Sequence, residues 1–246
     1  MATISDEHFA DDPTCVFGPD GTAYFVTKTN TGDAMVPGAA SDTDSLHTRR
    51  SPDGGSQWLP VTHSIHANDR PFAVTDTTDG PGHGRLYVVF DDHLHGEGSG
   101  HRNVDFRHAI ALAVSSDGGA TFPCSREGSW WTRSADTAAA SLAAGLVVLS
   151  DGTVADPAAP HAPERGGNAT TGKLREVGGW LQSFRTENGA QSLGHAVPVA
   201  SFVSGYNSPA TRGVSAALAV DPGSSRFRDR LYAAWADFGE DVARFA

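Results

Sequence analysis

The stretch that opens Asp91-Asp92-His93-Leu94-His95 and closes Arg107-His108 holds four of the chain's 11 histidines within 18 residues. Two imidazoles and a carboxylate so close together form a donor set for a transition metal, with His93 and His95 beside Asp91 or Asp92. No closed ligand spacing follows them. The same stretch also reads as a polar, glycine-rich solvated loop, and no metal is assigned to it. Asp69, Asp91 and Asp92 are carboxylates able to pass a proton to a bound group. Arg70 stands next to Asp69, and Arg212 holds a similar place later in the chain. A guanidinium fork matches a carboxylate through two parallel hydrogen bonds, so both arginines could hold an acidic ligand. The alternative for Arg70 is a local ion pair with its neighbour.

These residues need a frame, and the frame is written as a repeat. Ser51-Pro-Asp53-Gly-Gly55-Ser-Gln-Trp58 and Ser115-Ser-Asp117-Gly-Gly119-Ala-Thr-Phe122 share the pattern S-x-D-G-G-x-x-[W/F] and lie 64 residues apart. Hairpin signatures precede each one: strand, Gly/Asp turn, strand. They place Tyr24 and Tyr87 63 residues apart, in step with the boxes, and Tyr232 falls 145 residues after Tyr87. Gly145 to Ala155 supplies the hairpin between them, and Trp180 to Gly189 reads as a degraded third box with Asn188 in the aspartate's place. Each unit is then strand A, turn, strand B, long loop, strand C, box turn, strand D. Strand C is Leu46–Arg50 in the first unit and Ala109–Ser115 in the second. Strand D is the weak Leu59–His63 in the first and Ala196–Ala200 in the third.

Four antiparallel strands per unit of this length predict an all-β protein, a β-propeller in one domain over residues 1–246 with blades at 12–64, 65–140, 141–203 and 204–246. A β-sandwich would not explain boxes that recur in phase. Within each box, an Asp followed by two glycines suits a turn that needs positive φ and a side chain bonding its own backbone. Asp53 and Asp117 are thereby read as turn residues, together with Ser51, Gly55, Ser115 and Gly119. Trp58 and Phe122 pack between blades, as do the strand-B tyrosines.

Composition narrows the function. The net charge is −11, from 18 basic and 29 acidic residues, which argues against a nucleic-acid surface. No run approaches the ~18 apolar residues of a membrane span. Cys15 and Cys124 match no zinc or redox spacing. The first residues carry neither a basic region nor an apolar core, so no signal peptide is visible.

The box pattern resembles the Asp-box, or bacterial neuraminidase repeat, and the chain is similar to the sialidase-like propellers. That resemblance implies six blades, which at about 65 residues each need roughly 390 residues. The chain amounts to about three and a half blades and is expected to be part of a longer reading frame. If the box is the C–D turn, the D–A and B–C connections emerge on the opposite face, where such propellers keep their site. The resemblance implies an exo-glycosidase acting on terminal acidic sugars, by a two-step retaining route with a tyrosine nucleophile, a Glu that activates it and an Asp acid. Tyr206 is the tyrosine on a D–A connection, and Asp69, Asp91 and Asp92 are the candidate acids. Arg70 and Arg212, with His93 and Arg107, are the substrate contacts. The family's first arginine stands in an Arg-Ile-Pro string, whereas here the string is Asp69-Arg70-Pro71. No cofactor is implied. The partner is a glycan or glycoconjugate, met outside the cell or at its surface. A non-catalytic recognition propeller shares the same repeats. An endoglucanase would need an aromatic cleft, for which Trp58, Trp130 and Trp131 are poorly placed.

Overall fold

A computed structural model of the chain describes residues 10–30, 44–61, 64–66, 69–94, 107–123, 141–143, 145–160, 176–187, 192–194, 197–205, 216–235 and 244–245. Among them there is no helix; the strands form four antiparallel sheets. The first sheet runs in chain order through β1 (Ala10–Phe17), β2 (Ala23–Asn30), β3 (Asp44–Ser51) and β4 (Ser64–His66). The second is β5 (Asp69–Thr75), β6 (Leu86–Leu94) and β7 (Arg107–Ser115). In the third, β8 (Ser141–Ala143) and β9 (Val147–Val148) both pair with β10 (Val154–Pro160). Next comes β11 (Glu176–Glu187), which carries β12 (Ser192–Leu193) and β13 (Val197–Gly205). The fourth is β14 (Ala217–Asp221), β15 (Arg230–Trp235) and β16 (Arg244–Phe245).

The first unit's strand D differs from the sequence reading. Leu59 still donates its N–H to Arg50 O at 2.9 Å, but Pro60 has no N–H to continue the ladder. The outer strand is Ser64–His66 instead. The stretch from Asp91 to His108 is also not all loop: the β6–β7 ladder continues through Asp92↔Ala109 and His93↔His108 to Leu94↔Arg107.

Local turn chemistry explains where the strands reverse. Phe17↔Ala23 closes the first hairpin, Gly21 takes φ 83°, and the Asp20 carboxylate accepts Thr22 N and Oγ1, both at 2.9 Å. The equivalent turn of the second sheet is held by Asp76, which is fully buried. Its Oδ1 accepts Thr78 N at 2.8 Å and Thr78 Oγ1 at 2.6 Å, and its Oδ2 has no hydrogen-bond partner among the described residues.

The S-x-D-G-G turns leave β3 and β7 at the same end as these hairpins, since Ala23 pairs with Ser51 and Leu86 with Ser115. Both turns use two glycines of positive φ: 71° and 104° at Gly54 and Gly55, 67° and 75° at Gly118 and Gly119. Ser51 Oγ accepts Gly55 N at 2.8 Å and donates to Asp53 Oδ1 at 2.7 Å; Ser115, Gly119 and Asp117 repeat both distances. The serine thus links the turn's backbone to its carboxylate.

Side chains alternate across each sheet, and the alternation stacks one sheet on the next. Tyr24 and Val26 on β2 point into a cluster with Leu86, Val88 and Phe90 of β6, which Phe122 completes. The other face of β6 sends Tyr87 and Val89 into a second cluster with Val148, Val154 and Phe184 of the third sheet. Leu181, Ala216, Ala233 and Trp235 join the third sheet to the fourth. Each fully buried apolar side chain contributes about 1.5–3 kcal/mol, so these three seams dominate stability. Polar staples reinforce them: Thr75 Oγ1 donates to Phe17 O at 2.6 Å, while Ser150 N and Oγ donate to the Asp229 carboxylate at 2.5 and 2.6 Å.

The first strand of each sheet lies against the first strand of the next: β1 against β5, β5 against β8 and β9, β9 against β14. The inner strands therefore converge. Tyr24 and Tyr87 are 4% and 1% exposed in their seams, whereas Tyr232, at the same strand position, is 43% exposed. The next sheet in order covers the first two, and none among the described residues covers the third.

Candidate functional site

The ends of the inner strands away from the hairpin turns share one irregularity. In β1 the register slips between Asp11↔Lys28 and Thr14↔Val26, and in β5 between Asp69↔Asp91 and Phe72↔Val89. Each slip places one extra residue on the inner strand, a β-bulge, and each occurs in an Asp-x-Pro string. The middle residues, Asp12 and Arg70, adopt φ 46° and 48°. Left-handed backbone at a non-glycine residue costs about 1–3 kcal/mol and persists only where the surroundings impose it. The third sheet repeats the slip without the proline: Ala143 pairs with Ala158, Val147 with Ala155, and Gly145 between them has φ 151°. Three successive inner strands are therefore re-aimed at the same end.

The second of these bulges collects most of the residues singled out by sequence. Asp69 and Asp91 are Cα partners across β5 and β6, with Arg70 inside the bulge. Further along the same ladder, Asp92, His93 and Arg107 follow within three residue pairs, and His93 faces His108 in register. Arg70 is partly buried. The side chains of Asp69, Asp91, Asp92, His93 and Arg107 lie outside the described residues, as do Tyr206 and Arg212 altogether. His95, the remaining ligand in the metal reading, is outside them too. Among the described residues no three His, Cys, Asp or Glu side chains gather as metal ligands.

Sequence reading passed over Asp12. It occupies in the first sheet the bulge position that Arg70 holds in the second, and Asp11 and Lys28 stand where Asp69 and Asp91 stand. The signal was the repeated Asp-x-Pro string, Asp11-Asp12-Pro13 and Asp69-Arg70-Pro71.

The box carboxylates sit at the opposite end of the sheets and are chemically occupied. Hydrogen bonds, first that from Gln57 N at 2.8 Å and then that from Ser51, hold the Asp53 carboxyl below the usual carboxylate range. For Asp117, desolvation is the largest single influence and pulls upward. The hydrogen bonds from Thr121 Oγ1, Thr121 N and Ser115 together outweigh it and hold the carboxyl down at about 2. Groups so held stay ionised at neutral pH and make poor proton donors.

No protein-family model matches the chain, and no curated protein does. Solved structures do. The Hadza microbial sialidase Hz136 superposes with a TM-score of 0.58 at 15% identity, covering 97% of this chain and 44% of the sialidase. A protein of unknown function from Dyadobacter fermentans gives 0.53 at 13%, covering 98% and 66%. The Penicillium chrysogenum α-L-arabinanase, complexed with arabinobiose, gives 0.51 at 14%, covering 96% and 66%. At these identities the likeness is one of fold. The chain spans less than two thirds of the length of each. It is an all-β protein whose antiparallel sheets are those of an incomplete β-propeller.

Proposed function

We propose that the chain carries much of the site of a sialidase-like exo-glycosidase acting on terminal acidic sugars. The observation that supports this most is the pairing of Asp69 with Asp91 beside the strained Arg70. Like charges at directly opposed sheet positions destabilise by about 0.2–1 kcal/mol, and a left-handed arginine adds to that cost. A sheet that retains both is retaining them for something other than its own stability.

The assigned roles follow from chemistry. Arg70, joined by Arg212 and Arg107, pairs the sugar carboxylate through guanidinium forks, and His93 contacts the ring. One carboxyl among Asp69, Asp91 and Asp92 protonates the leaving-group oxygen. Tyr206 attacks the anomeric carbon to give a glycosyl-enzyme, which water then hydrolyses. A neutral phenol suits a substrate that already carries a carboxylate, because an anionic nucleophile would be repelled. The S-x-D-G-G turns are Asp-boxes in this reading, and the blades fall at 12–64, 65–140, 141–203 and 204–246.

The test is hydrolysis of a fluorogenic sialoside by the wild-type chain and by Arg70→Ala and Asp69→Asn. Turnover is expected from the wild type, with a loss on the order of a hundredfold or more in kcat/KM for either variant. Sialoside binding without turnover would support a recognition propeller instead. Cleavage of a neutral arabinoside but not of the sialoside would overturn the acidic-sugar assignment.

A further inference from the structure

The two ends of the sheet stack present unmatched faces of complementary kind. At the far end, Tyr232 on β15 stands opposite Ala219 on β14, as Tyr24 stands opposite Val16 and Tyr87 opposite Val74. Those earlier tyrosines are covered by the sheet that follows. The fourth sheet shows the same face bare, with Tyr232, Ala217 and Ala219 all exposed.

At the near end, β1 turns Val16 towards the second sheet, so Cys15 and Phe17 point the other way. Phe17 is 57% exposed, Cys15 is exposed, and Phe25 and Trp58 beside them are only partly buried. The corresponding face of the second sheet, with Leu86, Val88 and Phe122, is the one that packs on Tyr24 and Val26. One end of the chain is therefore a receiving face and the other an inserting face, of the type already joined in the first seam.

We infer that two copies of this chain close head to tail around a common axis, each seating the Tyr232 face of its fourth sheet on the Phe17–Trp58 face of its partner's first. A head-to-tail contact is open-ended unless its rotation closes, and converging inner strands supply that rotation. The proportions agree: 97% of this chain matches 44% of the propeller sialidase, so two copies come close to the whole. The assembly would also complete the candidate site, because the bulges at Asp12 and Arg70 would then be contributed from both sides of the axis. This goes beyond the glycosidase reading and does not depend on it.

The experiment is sedimentation velocity on the full chain over a range of concentrations, for the wild type, Tyr232→Glu, Phe17→Glu, and an equimolar mixture of the two variants. Both residues are exposed, so neither change disturbs the folded monomer, which far-UV circular dichroism checks. The wild type is expected to sediment as a dimer, and each variant alone to associate on the order of a hundredfold more weakly. In the mixture, one of the two interfaces pairs unaltered faces, so heterodimers return. A wild type that stays monomeric at every concentration overturns the proposal. So does a dimer that either variant leaves intact, or a mixture that fails to restore association.

Discussion

Replacing Phe122 by alanine removes the ring that ends the second S-x-D-G-G turn. That ring is 2% exposed and completes the seam between the first and second sheets. A buried aromatic side chain covers on the order of 150–250 Å², worth about 4–6 kcal/mol at about 25 cal/mol per Å². The methyl that alanine keeps, and partial collapse of the cavity, bring the expected loss to about 4 kcal/mol. Trp58 holds the same place in the first turn, but it is only partly buried and meets the Phe25 ring edge-on at 6.0 Å and 67°. Its removal should cost about 1–2 kcal/mol. Urea unfolding followed by far-UV circular dichroism separates the two. It is best done in the Tyr232→Glu background, where no second copy covers Trp58. With a slope of about 2.5 kcal/mol per M, the midpoint falls by about 1.6 M for Phe122→Ala and about 0.6 M for Trp58→Ala. Equal losses, or a larger one for Trp58, would refute the view that seam burial and not the turn itself sets the value of this position.

Asp117→Asn should reduce stability at neutral pH through loss of a carboxylate held at about 2. The full shift from its ordinary range would be worth about 2.4 kcal/mol, and exposure to solvent cuts that to about 1 kcal/mol. The folded carboxyl is depressed, so the gap is present above pH 4, shrinks as pH falls towards 2, and is read from melts across that range; a gap that widened with acid would contradict the assignment. Gly82→Ala should cost about 1–3 kcal/mol in a thermal melt, because its Cβ collides with the buried Asp76 Oδ2 and comes within 2.9 Å of Tyr87 Oη. Gly84→Ala, at φ 78° in open space, carries only the backbone penalty of about 1 kcal/mol. Arg70→Gly should be about 1 kcal/mol more stable than Arg70→Ala, since both lose the side chain and only glycine relaxes φ 48°. Indistinguishable melts for this pair would mean the bulge stores no strain.

What the sequence displays is what is decided locally. The Asp-Gly-Gly turns and the hairpins around Gly21 and Gly84 are legible because positive φ and a self-bonding carboxylate select those residues directly. The polar stretch after Asp91 misled because hydropathy reports burial and not pairing: the backbone ladder continues to Leu94↔Arg107 whatever the side chains are. The bulges were hidden for a related reason. An extra residue exists only relative to the partner strand, so Asp12 looked like the start of a regular strand. The strand-B position of Tyr232 promised a core residue, yet burial there depends on a following sheet that no local pattern announces.

The bulge also has a consequence for how such a protein can change. Inserting one residue inverts the in–out alternation of everything beyond it. In β1 and β5 the half that carries Val16 and Val74 obeys the packing of the seams, while Asp11–Pro13 and Asp69–Pro71 sit past the inversion and are released from it. Substitutions there can trade an acid for a base, as between Asp12 and Arg70, without asking the apolar seams to repack. The architecture separates what it recognises from what keeps it folded, and ligand preference can drift across a lineage while the stack of sheets stays the same.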